Sequence, residues 1–120
     1  MTPKQLQRRG EYWQEVLGLS IWDISYKFAS TLEIKGAWAD NTFDPLHRRA
    51  IVRVVDEKWY ALVARPIDPP FCVDINIVHE LLHLVLEPLG VNDGIDGDIT
   101  PLEQTINLLA DIIVKLHEGT

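Results

Sequence analysis

The sequence predicts a single α+β domain over residues 1–120, with an amino-terminal helix, a few strands and two carboxy-terminal helices around one core. Three observations predict it. A chain of 120 residues suits one domain of ordinary size. Hydrophobic residues make up 47% and charged residues 24%, the balance of a chain that buries a core. The hydrophobic period also changes along the chain, from helical spacing to alternation and back.

Thr2-Pro3-Lys4-Gln5 reads as a helix start, with Thr2 as N-cap, Pro3 at the first position and Gln5 closing a capping box. Leu6, Trp13, Val16 and Leu17 fall on one face of this helix, and Gly18 is its stop. Ile21 to Phe28 then alternates, placing Trp22, Ile24, Tyr26 and Phe28 on one side of a half-buried strand. Glu33 to Ala39 reads as a second strand interrupted by Gly36, and Asp40 to Pro45 as a turn. Ala50 to Val55 is β-branched and reads as a third strand with Arg53 facing outward. Lys58 to Arg65 suits a helix or a strand, and Pro66 and Pro69-Pro70 end it. The result is one helix followed by a few strands.

Asp74 to Glu87 predicts a helix with the apolar stripe Ile77, Val78, Leu81, Leu82 and Val85, stopped by Pro88 and Gly90. Asn92 to Asp98 combines acidic residues with glycines and reads as a flexible connector. A last helix opens at Thr100-Pro101 and runs to about His117, with Leu102, Ile106, Leu109, Ile113 and Leu116 spaced for packing.

The net charge of −7 argues against a general nucleic-acid binder, since phosphates would repel such a surface. His47-Arg48-Arg49 is the one local basic cluster, too small to reverse that expectation. No apolar run is long enough to cross a membrane, and Met1 to Arg9 lacks the apolar stretch of a signal peptide. Cys72 is the only cysteine, so no internal disulfide forms. The expected location is the cytoplasm. The sequence sets no oligomeric state, although four tryptophans leave room for an exposed apolar patch.

One motif carries chemistry: His79-Glu80-Leu81-Leu82-His83. Two histidines at i and i+4 project from one helical face, so both imidazoles reach the same cation. Glu80 points beside that face, where its carboxylate serves as general base for water rather than as a ligand. Such a pattern suits one zinc ion, which takes two imidazoles and one further protein ligand and leaves a position open. Composition alone produces the pattern in about 1% of such chains. The third ligand must come from elsewhere, and Glu103, in the first turn of the last helix, is the leading candidate. Thr100-x-x-Glu103 is equally a capping-box pattern, in which Glu103 would turn back to the Thr100 amide. Glu87, His117 and His47 are further candidates, and Cys72 is expected to pack as a small apolar residue.

His79-Glu80-Leu81-Leu82-His83-Leu84, preceded by Ile77-Val78 and followed by Glu103-Gln104-x-Ile106-Asn107-x-Leu109-Ala110, resembles small phage- and prophage-encoded metallopeptidase-like proteins. More broadly it is similar to the minigluzincins, the smallest members of the zincin group, over about the last 45 residues. The resemblance implies a minimal zincin-like fold, with a small mixed or antiparallel sheet packed on the helices, and a zinc metallopeptidase of the gluzincin type, with His79, His83 and Glu103 as ligands and Glu80 as catalytic base. In that group an aspartate behind a zinc-bound histidine often orients it by a hydrogen bond, and here Asn107 stands at its position. The resemblance further implies a sheet edge that pairs with an extended peptide, for which Ala50 to Val55 is the candidate. It implies a donor to the oxyanion as well, with His47, Arg48 and Tyr60 as candidates.

The expected partner is therefore a peptide or protein substrate, with neither nucleic acid nor membrane. A shallow site implies an enzyme that is latent or narrow in specificity. The rival expectation is a non-enzymatic module of the same fold, stabilised by zinc or binding peptides for regulation.

Overall fold

The structure, a computed structural model, describes residues 1–118. It is an α+β domain with a small mixed sheet and four α-helices. Helix α1 spans Pro3–Val16 and opens as its sequence requires, with the Thr2 hydroxyl accepting from the Gln5 amide and the Gln5 side chain accepting from the Thr2 amide. Gly18, at φ +75°, turns the chain back in the left-handed conformation that glycine adopts without steric cost. Leu6 and Trp13 are buried as expected, whereas Val16 is exposed.

Strand β1 (Asp23–Ala29) follows, and it alternates as predicted, with Ile24 and Tyr26 turned into the core. Strands β2 (Ala39–Asp44) and β3 (Arg49–Val55) form a hairpin. The sheet order is β1-β3-β2, with β1 and β3 parallel and β2 antiparallel to β3. Two expectations are corrected here. Glu33 to Ala39 is not a strand: Ser30 and Glu33 exchange main-chain to side-chain hydrogen bonds that wind the segment into turns. The residues read as a turn, Asp40 to Pro45, supply most of β2 instead. An edge strand bonds to one neighbour only and tolerates such polar residues when each has a partner. Asp40 has one in Arg53, directly opposite on β3.

The central position of β3 corrects a third expectation. Ala50 to Val55 is paired on both sides and offers no free edge to a peptide. The outer edge of β1 is covered in part, because the Gln7 side chain donates to the Ile24 carbonyl and accepts from the Tyr26 amide. The other outer edge belongs to β2. Its Trp38 carbonyl bonds to the Val55 amide, so the pairs Asp40–Arg53 and Thr42–Ile51 are the bonded ones. The main-chain groups of Ala39, Asn41 and Phe43 therefore face outward.

Helix α2 (Glu57–Val63) settles the ambiguous segment, capped by the Asp56 carboxylate on the Lys58 amide. Helix α3 (Val73–Leu86) passes under the sheet and buries Ile77, Val78, Leu81, Leu82 and Leu84. Val85, placed in that stripe by spacing, is exposed. A short 3-10 turn at Glu87–Leu89 and Gly90 at φ +68° end the helix. Helix α4 (Thr100–Glu118) packs on α3 through Ile106, Ala110 and Val114. Leu109 and Leu116 lie outward, because the packed stripe runs one position away from the one that spacing suggested. No helix among the described residues is long and apolar enough to cross a membrane.

α1 presses against β1 at Gly10, where an added Cβ would overlap the ring of Tyr26. That ring is buried, and its hydroxyl donates to Gln14 Oε1 at 2.8 Å, so it has no room to retreat. Gly10→Ala is expected to lower stability by about 1–3 kcal/mol, overriding the helix preference for alanine. Urea unfolding measures it, and a stabilised variant would show that the ring moves freely.

Candidate metal centre

α3 carries His79 and His83 one turn apart, so their rings lie on the same face with centroids 5.4 Å apart. Glu103, from the first turn of α4, reaches across to both. Its Oε2 is 3.0 Å from His79 Nε2, and its Oε1 is 3.0 Å from His83 Nε2. The ligand atoms of the three residues lie within 4.8 Å of one another, and this is the one such group among the described residues. The choice left open by the Thr100-x-x-Glu103 pattern is thereby made. The Thr100 amide is bonded by Asp98 Oδ1, which leaves the Glu103 carboxylate to the histidines.

Both rings are held from behind by neutral amides. The Asn107 side chain, on α4, lies against His79 and favours its charged form. Asn92, in the loop between α3 and α4, takes His83: its Oδ1 lies 3.0 Å from His83 Nδ1. Its Nδ2 donates to the His83 carbonyl at 2.9 Å, which fixes the orientation of the amide. With Oδ1 facing the ring, Nδ1 must carry the proton, and Nε2 presents a lone pair to Glu103.

That lone pair and the carboxylate oxygen, both acceptors 3.0 Å apart, repel unless a cation lies between them. A proton is one such cation; at the other histidine facing Glu103, His79, burial pushes the pKa down, against the pull of Glu103 and with His83 adding to the effect. A metal ion answers the same need without a buried imidazolium. Tetrahedral zinc with bonds of the usual length sets its ligand atoms about 3.3 Å apart, and the ligand atoms here lie within 4.8 Å of one another, so the group would hold such an ion after drawing together. Two imidazoles and one carboxylate also match its donor preference.

Glu80 sits beside this group. Its Oε2 is 3.9 Å from His79 Nε2, and its Oε1 accepts from Asn41 Nδ2 at 2.6 Å. Burial, with the nearby charges of Glu103 and Asp40 adding to it, pushes its carboxyl from the ordinary 4.5 up to about 8, against the Asn41 hydrogen bond. Asn41 is on the inner face of β2, between the outward Asp40 and Thr42.

The remaining candidates lie elsewhere. Tyr60, one of the expected oxyanion donors, packs its ring between Trp38 and Phe71 in a second small core with Ile34 and Val55. His47 and Arg48 belong to the exposed turn between β2 and β3. His47 Nδ1 is bonded to Asp44 at 2.6 Å, and Arg48 takes a positive φ there. His117 bonds the Ile113 carbonyl and stacks edge-on against Trp13. Glu87 receives Asn92 Nδ2 at 3.5 Å rather than joining the ligand group. Cys72 precedes α3 as its N-cap without a side-chain hydrogen bond.

Asn41 and Asn92 were not singled out by sequence. Each is a polar residue in a turn-forming stretch, and only the pairing of β2 and the fold of the α3–α4 loop aim them inward. Comparison with known protein families, with curated proteins and with solved structures finds no match. The chemistry of the centre therefore stands on its own geometry.

Proposed function

We propose that the chain is a zinc-dependent peptidase of the gluzincin type, in which His79, His83 and Glu103 hold one zinc ion and Glu80 is the general base. The observation that carries this reading is the pairing of a three-residue ligand group with a separate, buried carboxylate beside it. A structural zinc site uses four protein ligands, whereas three ligands and a neighbouring base suit hydrolysis. Zinc, when bound, supplies a Lewis acid that polarises a carbonyl and makes water more acidic.

The protein's own residues would do the rest. Asn41 holds Glu80 Oε1, so Oε2, on the side of the ligand group, is free to take a proton from water and pass it to the leaving amine. An extended substrate would pair with the outward main-chain groups of Ala39, Asn41 and Phe43, which brings its backbone over α3. The free edge is short and the domain small, so binding energy is limited and specificity is expected to depend on side chains beyond the paired stretch.

The test is mass spectrometry of a peptide library incubated with the zinc-loaded protein. Cleavage that stops with a chelator and returns with zinc supports the peptidase. Tight zinc binding without cleavage of any peptide or protein offered would favour a non-enzymatic module.

A further inference from the structure

We propose that Asn92 is a positioning residue that sets the tautomer of His83 and couples the α3–α4 loop to metal affinity. The proposal rests on the reading of His79, His83 and Glu103 as metal ligands, but adds a residue that the motif does not contain.

Two features of the contact go beyond a chance surface bond. Asn92 clasps α3 at two points of one residue, the ring Nδ1 and the main-chain carbonyl of His83. The second point pins the first: Nδ2 faces the His83 carbonyl and Glu87 Oε2, both acceptors, so only Oδ1 is left for the ring. The His83 ring then has one orientation and one tautomer, with Nε2 unprotonated towards Glu103.

The loop that delivers Asn92 is built rather than slack. Gly94 donates to the Val91 carbonyl, and Ile95 and Asp98 pair through both their amides. Gly94 approaches the Asp98 carbonyl so closely that a Cβ there would collide with it. Asp98 then bonds the Thr100 amide at the start of α4, the helix that carries Glu103. One loop thus grips a metal-binding histidine at one end and starts the helix of the third ligand at the other. The expectation of a mere connector over Asn92 to Asp98 gives way to a strap across the centre.

The test compares the wild type with Asn92→Leu and Asn92→Asp. Leucine keeps the volume and loses both bonds, and aspartate keeps the acceptor for Nδ1–H. Nitrogen-15 spectra of the histidine rings in the metal-free proteins, at a pH where both imidazoles are neutral, report the tautomer directly. The wild type and Asn92→Asp are expected to hold His83 as Nδ1–H, while Asn92→Leu shifts it towards Nε2–H and leaves His79 unchanged. Zinc affinity, from competition with a chromophoric chelator, is expected to fall 10–100-fold in Asn92→Leu and to return to within about tenfold in Asn92→Asp. An unchanged His83 tautomer in Asn92→Leu overturns the proposal, as does unchanged zinc affinity. Equal losses in both variants also overturn it, since loop shape rather than the acceptor would then be responsible. A wild type that binds no zinc would instead sink the metal reading, and the ring spectra would still decide what Asn92 does to His83.

Discussion

Glu80→Gln is expected to leave zinc binding within a fewfold of wild type and to remove peptide hydrolysis, by about 10²–10⁴-fold or to background. Glutamine has the same shape and can still accept from Asn41 Nδ2, so the packing beneath β2 survives. What it lacks is a basic oxygen at the position of Oε2. Unchanged hydrolysis would sink the role assigned to Glu80. Lost zinc binding would show instead that Glu80 is a ligand.

The same variant has a second readout that needs no substrate. In the metal-free protein the Glu80 carboxyl is raised to about 8, chiefly by burial, with Glu103 and Asp40 adding to the effect and Asn41 opposing it. A folded value above the unfolded one means that its contribution to stability is full below about pH 4.5 and is lost as pH rises to about 8. Glutamine does not ionise. The metal-free variant should therefore match wild type in mild acid and exceed it by a few kcal/mol, to order of magnitude, in mild alkali. Urea unfolding across that range measures the gap, and a gap independent of pH would contradict the burial of the charge.

Glu103→Ala carries the other large effect. It removes the one ligand that bridges α4 to both histidines, at 3.0 Å from each. Two imidazoles on one helix remain, and the loss of zinc affinity should exceed the 10–100-fold typical of groups that only orient ligands. Hydrolysis at limiting zinc should fall in parallel. Glu103 bears no share of the α4 N-terminal cap, because Asp98 bonds the Thr100 amide, so the metal-free variant should fold normally. Wild-type zinc affinity in this variant would remove the gluzincin reading, whatever the fate of hydrolysis.

The half-site was legible because a helix has a fixed period. His79 and His83 at i and i+4 must share a face, and Glu80 must lie beside it, whatever the helix packs against. Glu103 was only half legible. Its spacing from Thr100 served a cap as well as a ligand, and the deciding fact, that Asp98 caps the helix, depends on how the loop closes.

The strands show the boundary most clearly. Alternation located β1 and β-branching located β3, since both are buried on one face and selected for it. β2 was hidden because Ala39-Asp40-Asn41-Thr42-Phe43-Asp44 spends its polar residues on tertiary partners, Arg53 across the strand and Glu80 beneath it. Local propensity measures neither. With β2 unseen, β3 could not be recognised as central, and the free edge was assigned to the wrong strand.

The opening α+β expectation, the helix carrying the histidine pair and the residue types of a candidate metal group all follow from local periodicity and side-chain chemistry, which a linear chain already contains. The strand order, the free edge at Ala39, Asn41 and Phe43, the choice of Glu103 over its cap, and the two amides behind the histidines were decided by packing. Those features join residues far apart in sequence, such as Asn41 with Glu80 and His79 with Glu103, and no local pattern encodes which distant partner a polar side chain will meet.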